Sequence, residues 1–565
     1  MQTSRLRAAL LAVLLPAAAI LSLSPPLRAQ AVTGVGDDAT GPGKGVIRFN
    51  ISSVWKSWYE RYGQGTPGRP NGSVEPLGVD FNLDTVGVAQ LENLGPIQNS
   101  IRSLAGLPGF AVSLGTSNVQ VRDNVVTTPL GMEIGLTSRL SVSVMVPFVT
   151  ARSDVNFVMN PTGFEPTLGF NPTLMVPAVI MTNAAFLAQF DSASAQLSQA
   201  ITTCAANPAA SGCAPINANP GGARALVTNA NSFASGVAQV YGGRAGAAGS
   251  LFVPIAGTAA EAAIEAKVAA FKAMYATYGN GAITGTGPMA AQAPLTTADM
   301  QTVLSDPAFG VNAKPLATSV TRGIGDIEVG MKLNVYDSFH GNDSARISPK
   351  GFNWRQSFGG IYRLGTGTLP SPADFTALGT GDHQSDIEGR TFTDLIFGRH
   401  FWLSLVGSFT SQTADQLDLR VPDSPMQVIL ASYRQQTVQR HLGSIIEVQV
   451  TPRWQLNDYI SFAGQYYYAH KAADTYSGRF TVTDLAGNTA TLDASVLGMY
   501  TETSESRVGI GATYSTVANV DKHKSGLPLD ISYFHYETTL GSLGRVPKIS
   551  VDQVTMRVYQ RIFGH

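Results

Sequence analysis

The tract from Gly381 to Asp386 brings together residue types that could do hydrolytic chemistry: a serine, a histidine and two aspartates. A serine nucleophile needs a base and an acid in mutual hydrogen-bond geometry, which is usually assembled from distant segments rather than from six adjacent residues. No G-x-S-x-G elbow precedes the tract. The sequence therefore favours a polar loop that leads into a strand. We expect no enzyme activity, with a lipid hydrolase as the less favoured alternative.

The sequence gives little support for a metal or a cofactor. Asp382, Asp386 and Glu388 could offer oxygen ligands to calcium, but their spacing matches no known calcium-binding loop. The chain has two cysteines, Cys204 and Cys213, with no neighbouring histidine that would favour a zinc site. We expect no cofactor and no metal, and a local disulfide between the two cysteines of an exported chain.

A second set of polar residues follows the two-residue period of β-strands. Between Asp326 and Val335, apolar side chains at odd positions alternate with mostly polar side chains at even positions. Charges facing lipid cost about 2–4 kcal/mol near the membrane midplane, whereas charges facing the lumen of a barrel tune its selectivity. The same period in other segments completes the candidate lumen or constriction residues: Arg48, Glu133, Asp326, Glu328, Lys332, Arg355, Arg363, Asp386 and Arg390. It also turns Lys56, Glu447 and Arg557 inward.

The stretch from Val126 to Thr150 predicts a β-hairpin with its turn at Ser138 and Arg139. Each arm has about the 9–11 residues that a tilted strand needs to cross a bilayer. One face is apolar and the other is mostly small or polar, as in a membrane barrel. Because a soluble β-sandwich also has alternating strands, this hairpin alone does not decide between the two.

Twelve segments with strand character decide between a membrane barrel and a soluble β-sandwich. They are 46–59, the two arms of 126–150, 323–339, Phe352–Leu364, 386–398, Phe401–Gln412, 440–451, 458–471, 504–515, 528–538 and 551–563. Long and mostly shorter links alternate between them, so every large insertion lies at one end. A Greek-key sandwich does not require this arrangement, and an up-and-down barrel does. We predict an all-β fold over residues 46–565, a closed antiparallel up-and-down transmembrane β-barrel of about 12 strands.

The N-terminus resembles an export signal. In residues 1–31, Arg5 and Arg7 precede an apolar run, and a small-x-small site follows at Ala29-Gln30-Ala31. Pro16 interrupts the run and no stop-transfer pattern follows, which disfavours a transmembrane anchor. We therefore expect Sec-dependent export to the outer membrane of a Gram-negative-type bacterium, after cleavage of a signal peptide. Residues 32–45 are rich in Gly and Asp and are expected to be disordered.

Residues 152–322 interrupt the strand pattern and are rich in alanine. Thr258 and Glu261 form a capping box before a helical stripe that starts at Ile264. Further helices are expected near 184–200 and 297–305. We expect this segment to be a partly helical extracellular insertion, whose apolar stripe is either its own core or an apolar patch on a plug over the pore.

Three short glycine-rich motifs resemble a known family. They are Gly323–Lys332, Gly135–Leu140 followed by Val146-Pro147-Phe148, and Gly379–Gln384. They resemble the outer-membrane transporter family of the meta-pathway of phenol degradation. This resemblance implies a barrel that passes small, often aromatic or hydrophobic compounds, and it brings no catalytic residues with it. The insertion at 152–322 departs from the family pattern.

Composition agrees with a lipid-facing exterior. Charged residues make up 14% of the chain, and the net charge of −1 offers no basic surface for nucleic acid. We expect a channel or transporter for passive passage of small, hydrophobic or aromatic solutes. Its partners would be outer-membrane lipid, a small-molecule solute and the barrel-assembly machinery, and not nucleic acid. The alternatives are a non-conducting structural or partner-binding barrel, whose inward charges only hold the wall together, and an outer-membrane lipid hydrolase.

Overall fold

The computed structural model describes residues 37–65, 70–161, 165–340, 349–484, 487–517 and 527–562. The expected signal peptide, residues 1–31, lies outside them. Twelve long strands form one sheet. They are β1 Val46–Trp58, β2 Ser117–Gly135, β3 Leu140–Met159, β4 Ile327–Asp337, β5 Phe352–Leu364, β6 Asp386–Phe397, β7 Phe401–Gln412, β8 Ile445–Gln455, β9 Ile460–Lys471, β10 Thr503–Ser515, β11 Leu529–Ser542 and β12 Ser550–Arg561.

The sheet closes into a barrel. Each strand pairs antiparallel with the strand before it and the strand after it, and β1 pairs with both β2 and β12, from Val46 opposite Arg561 onward. A short strand, Ser319–Ile324, pairs with residues 148–153 in the middle of β3 and leads into β4 after Gly325 and Asp326. The predicted closed up-and-down barrel of twelve strands is confirmed.

The two-residue period divides the wall into an apolar outside and a polar inside. On the outer face of β4, Val329 is 48% exposed and Met331 is 54% exposed. On its inner face, Glu328 is 5% exposed. A soluble protein would bury its apolar face instead, so this arrangement fits a barrel surrounded by lipid.

The ends of the barrel differ, as the sequence predicts. One end, called the short-turn end, has links such as 136–139, 398–400 and 456–459. The opposite end, called the long-loop end, carries the large links: 59–116, 160–318, 365–385, 413–444 and 472–502. The strand predicted at 440–451 is wrong in its bounds, because Gln435–His441 and Ile445–Gln455 are separate strands. They break at Gly443, where an added Cβ would lie 2.0 Å from the carbonyl oxygen of Ala472.

A helical cap covers the long-loop end. The described residues contain seven α-helices: α1 Leu94–Ala105, α2 Pro172–Met175, α3 Pro177–Ala206, α4 Ala214–Ala218, α5 Pro220–Tyr241, α6 Ala259–Ala276 and α7 Thr297–Ser305. We call the helical parts of links 59–116 and 160–318 the cap. In the described part of the chain, no helix is both long enough and apolar enough to span a membrane.

Two separate links build the cap around one core. Ile101 of α1 lies in the same buried cluster as Phe190 of α3, Phe233 of α5 and Phe271 of α6. The interruption of the strand pattern is narrower than the expected 152–322, because β3 extends to Met159 and strand pairing resumes at Ser319. Helix α7 has the predicted bounds. Helix α3 is longer than predicted, and α5 was missed because it starts with Pro220-Gly221-Gly222, which resembles a loop.

Short elements complete the long-loop end. The strands are Glu60–Tyr62, Val74–Pro76, Leu168–Phe170, Phe252–Pro254, Asp415–Arg420, Gln435–His441, Thr475–Ser477, Arg479–Thr483, Thr489–Asp493 and Val546–Pro547, and the 3₁₀ helices are Leu77–Phe81, Pro307–Phe309, Ser432–Arg434 and Ala494–Gly498. The disulfide predicted between Cys204 and Cys213 is confirmed, and it joins the end of α3 to the residue before α4.

The cap contains a buried acid whose titration should affect its stability. The Tyr241 hydroxyl donates a 2.6 Å hydrogen bond to Glu261, which is 3% exposed. Burial raises the pKa of the Glu261 carboxyl to about 7, although the Tyr241 hydrogen bond lowers it. The pKa of Glu261 in the folded protein lies above its pKa in the unfolded chain. The protonated carboxyl therefore contributes its full stabilisation of the folded cap below the unfolded pKa, and this contribution is lost as pH rises through about 7.

We therefore expect the backbone amides of α6 to lose protection from hydrogen exchange as pH rises from about 5 to about 8, after correction for the intrinsic exchange rate. The variant Glu261→Gln should remove this dependence, because glutamine still accepts the Tyr241 hydrogen bond but does not titrate. Hydrogen exchange measured by mass spectrometry checks this. Equal pH dependence in both proteins would contradict it.

Candidate functional site

The lumen is the candidate site, and the structure places every predicted lumen residue on the inner face of the wall. Six of them are at most 6% exposed: Asp326, Glu328, Arg355, Arg363, Asp386 and Arg390. Arg48, Glu133 and Lys332 also face inward, and their charged groups contact other lumen residues. The structure divides these residues into groups at different heights in the barrel.

The group nearest the long-loop end is centred on Arg363 of β5. Its Nε lies 2.9 Å from Glu328 of β4, and its Nη1 lies 3.5 Å from Asp386 of β6. It also pairs with Glu388, which in turn pairs with Arg390. Breaking one partner of a buried pair leaves an uncompensated charge and costs about 3–5 kcal/mol. This network therefore ties three neighbouring strands together.

A second group lies closer to the short-turn end. Arg48 of β1 pairs with Glu133 of β2, which also accepts a 2.6 Å hydrogen bond from the Ser141 hydroxyl. Arg355 lies 3.3 Å from Asp337 and 4.9 Å from the ring centroid of Phe339. These contacts stay within the wall and the adjoining link.

The chain before β1 enters the lumen from the short-turn end. We call Asp37–Gly45 the strap. Ala39 is fully buried, its amide donates to Asp394 at 3.1 Å, and its carbonyl accepts from the Ser357 hydroxyl at 2.6 Å. The expectation that residues 32–45 are disordered is therefore wrong for Asp37–Gly45, and residues 32–36 lie outside the described part. The strap is ordered by polar partners on distant strands.

Cations of the wall converge on the acidic start of the strap. Arg390 lies 3.3 Å from Asp37, and Arg557 lies 4.0 Å from the same carboxylate. Arg453 lies 3.8 Å from the Asp38 carboxylate. These three arginines belong to β6, β12 and β8, so the strap joins separate sides of the barrel.

The strap also makes close backbone contacts. The Lys332 ammonium donates to the carbonyl oxygens of Asp38 and Thr40 at 3.0 and 3.3 Å. A Cβ added at Gly135 would lie 2.2 Å from the Gly43 carbonyl oxygen. Only glycine at position 135 lets the strap pass this close to β2.

The link 365–385 crosses the lumen near the long-loop end, and we call it the crossing loop. It leaves β5 and returns to β6, but Leu378 is 2% exposed in a cluster with Trp58 of β1, Tyr536 of β11 and Val551 of β12. In the pairing order of twelve strands, β12 lies opposite β6. Phe375 of the same loop lies in the core of the cap. The crossing loop thus joins the core of the cap to a buried cluster formed by residues of β1, β2, β3, β11 and β12.

Asp326 holds the crossing loop at its base. Its carboxylate accepts hydrogen bonds from the amides of Gly367 at 2.8 Å and Asp382 at 3.3 Å. The Thr380 hydroxyl donates to the Ile324 carbonyl oxygen at 2.7 Å. Sequence periodicity placed Asp326 on the correct face, but its role as an acceptor for loop amides has no sequence signal.

The tract from Gly381 to Asp386 shapes this loop. The His383 Nδ1 lies 2.7 Å from the Gly367 carbonyl oxygen, and the Asp382 carboxylate accepts from the Gln384 amide at 3.0 Å. These partners differ from those of a catalytic triad. Within the described ranges, no group of three or more His, Cys, Asp or Glu side chains could hold a metal ion. The calcium alternative at Asp382, Asp386 and Glu388 is therefore not supported.

A cavity of about 570 Å³ lies between the strap and the short-turn end. Charged residues on its lining include Asp38, Arg48, Lys332, Arg453 and Arg557. Its aromatic lining residues include Trp402, Phe534 and Tyr559. Asp37, Asp38 and Arg453 were absent from the predicted site residues. The inward phase of β8 could have identified Arg453, whereas the two aspartates lie outside any periodic segment.

No known family matches the sequence, and no curated protein matches it. Among solved structures, an outer-membrane channel from Pseudomonas putida F1 is 9% identical with a TM-score of 0.38, covering 94% of this chain and 98% of that one. The P. putida toluene transporter TodX is 9% identical with a TM-score of 0.24, covering 93% and 92%. A Pseudomonas aeruginosa FadL homologue is 7% identical with a TM-score of 0.26, covering 92% and 91%. Because these scores are low, the architecture rests on the strand pairing described above.

The close approach at Gly135 gives a test of the strap. We expect Gly135→Ala to displace the strap and raise single-channel conductance several-fold in planar bilayers, because the added methyl group overlaps the Gly43 carbonyl. Gly389→Ala is the matched control, since nothing lies within 4 Å of a Cβ at that strand position. Equal conductance of the wild type and both variants would contradict a strap that obstructs the lumen.

Proposed function

We propose that this protein is an outer-membrane channel for the passive passage of small hydrophobic or aromatic solutes. The observation that carries the proposal is that two segments outside the wall, the strap and the crossing loop, lie inside the barrel and contact its inner face. A barrel that is only structural needs no such segments, because its inward side chains can fill or neutralise the lumen themselves. Segments held by hydrogen bonds and ion pairs can exchange those contacts for water or solute.

The lining of the cavity supports an aromatic solute. Trp402, Phe534 and Tyr559 supply ring faces, while serine and threonine side chains and charged groups supply polar contacts. A cavity of 570 Å³ lies within the range of about 300–1,000 Å³ that is typical of small-molecule sites. An aromatic ring can therefore rest below the strap before it leaves the barrel.

The orientation is part of the proposal. Short turns face the periplasm and long loops face outward in bacterial outer-membrane barrels, so the cap is assigned to the cell surface and the strap to the periplasmic half. Sec-dependent export, insertion by the barrel-assembly machinery and residence in the outer membrane of a Gram-negative bacterium are further parts of the proposal. Membership of the meta-pathway transporter family belongs to the same proposal.

Loosening the crossing loop tests the function. We expect Asp326→Ala to raise both ion conductance and the uptake of labelled toluene by porin-depleted cells, because the amides of Gly367 and Asp382 lose their acceptor. A lost buried hydrogen bond costs about 1–3 kcal/mol, enough to open the loop for a larger fraction of the time. Asp493→Ala, on an exposed hairpin, is the control and should behave as the wild type.

The wild type should itself raise toluene uptake above that of cells with an empty vector. Folding of each variant is checked by resistance to unfolding in detergent without heating. If the wild type, Asp326→Ala and a variant lacking the strap all fold but show neither conductance nor uptake, the non-conducting, partner-binding barrel becomes the better account.

A further inference from the structure

We propose that the lumen contains an anion site that takes the carboxylate of an aromatic or hydrophobic acid, and that Asp37 and Asp38 of the strap occupy this site in the closed protein. The proposal rests on the proposed function and specifies its solute class. The strap then acts as an internal competitor for the solute, and an anionic solute displaces it.

The site is built by cations from five strands. Arg48 comes from β1, Lys332 from β4, Arg390 from β6, Arg453 from β8 and Arg557 from β12. All but Arg390 line the cavity of about 570 Å³, and Arg390 contacts Asp37 directly. Residues so far apart in the sequence meet only because the barrel closes, and they face the same two aspartates.

Two of these cations have a carboxylate partner on the wall, and two pair with the strap alone among the described ion pairs. Arg48 pairs with Glu133, and Arg390 pairs with Glu388 as well as with Asp37. Arg453 and Arg557 pair instead with Asp38 and Asp37, at 3.8 and 4.0 Å. These separations exceed the roughly 2.7–2.9 Å of a charge-assisted hydrogen bond. Both guanidiniums can therefore bind a carboxylate more closely than they bind the strap.

The electrostatics at Asp38 favour a negative charge. Burial acts to raise the pKa of its carboxyl, but Arg453 and Lys332 lower it well below the usual range. The position therefore holds a carboxylate rather than a neutral acid. A solute carboxylate placed there would meet the same cations.

The aromatic residues of the cavity can pack against the ring of the solute. Trp402 and Tyr559 line the same space as Arg453 and Arg557. Arginine binds a carboxylate in bidentate fashion and also stacks on aromatic faces, so these residue types fit a ring that carries a carboxylate. A neutral ring of the same size would lack the charge-assisted contacts with the two guanidiniums.

Equilibrium binding to the full-length protein in detergent tests the proposal. The probes are benzoate and its neutral analogue benzamide, titrated by ligand-observed NMR. We expect benzoate to bind more tightly than benzamide. Arg453→Gln and Arg557→Gln should each weaken benzoate binding about tenfold, because each removes a charged donor. Arg453→Lys should retain part of the affinity, and Arg479→Gln, an exposed outer arginine, should retain all of it.

Removing the two carboxylates of the strap should strengthen benzoate binding. The double variant Asp37→Asn, Asp38→Asn should bind benzoate several-fold more tightly, and benzamide binding should change less than benzoate binding in every variant. Equal binding of benzoate and benzamide, or benzoate binding that is insensitive to Arg453→Gln and Arg557→Gln, would overturn the anion site while leaving toluene passage intact. Specific benzoate binding without passage of any solute would support the anion site and contradict the channel.

Discussion

The structure depends on the pairing of charges inside a closed wall. An inward arginine of a barrel cannot turn to the lipid, and leaving it buried without a partner costs several kcal/mol. Arg390 illustrates the constraint, because it pairs with Glu388 of its own strand and with Asp37 of the strap. The wall thus takes part of its neutralisation from a segment that does not belong to the sheet, and the position of that segment decides whether the lumen is obstructed.

The same principle orders the lumen in layers. Arg363 and its carboxylates lie directly below the crossing loop and are satisfied by neighbouring strands, so this layer holds the wall whether or not the loop moves. Asp326 instead accepts hydrogen bonds from amides of the crossing loop, and Lys332 donates hydrogen bonds to carbonyl oxygens of the strap. The Arg363 group, whose partners all belong to the wall, therefore lies between Asp326, which contacts the crossing loop, and Lys332, which contacts the strap. The cap holds the crossing loop from above through Phe375.

Sequence periodicity was sufficient to predict the strands of the barrel wall, but it could not predict the segments that lie inside the lumen. The alternation from Asp326 to Val335 predicted β4 and its inward charges, because lipid and lumen impose opposite polarities on successive residues. The strap has no such period, since its order comes from Asp394, Ser357 and Lys332, which lie 294 to 355 residues away in the chain. Strand bounds failed near residue 440 for a similar reason, because Gly443 breaks the strand only where it meets Ala472. The alanine-rich insertion predicted helices, but its packing against α1 required the folded barrel to bring the two links together.

A reversible tether on the strap tests the central claim most directly, namely that the strap obstructs the lumen and must leave it for passage. A Cβ added at Gly41 would lie 3.5 Å from the Ser141 hydroxyl oxygen, close enough for Gly41→Cys and Ser141→Cys to form a disulfide. Single-channel conductance of this double variant should be low when oxidised and should rise several-fold on reduction, while each single variant shows no such change. Equal conductance before and after reduction, with the cross-link confirmed by mass spectrometry, would contradict the account.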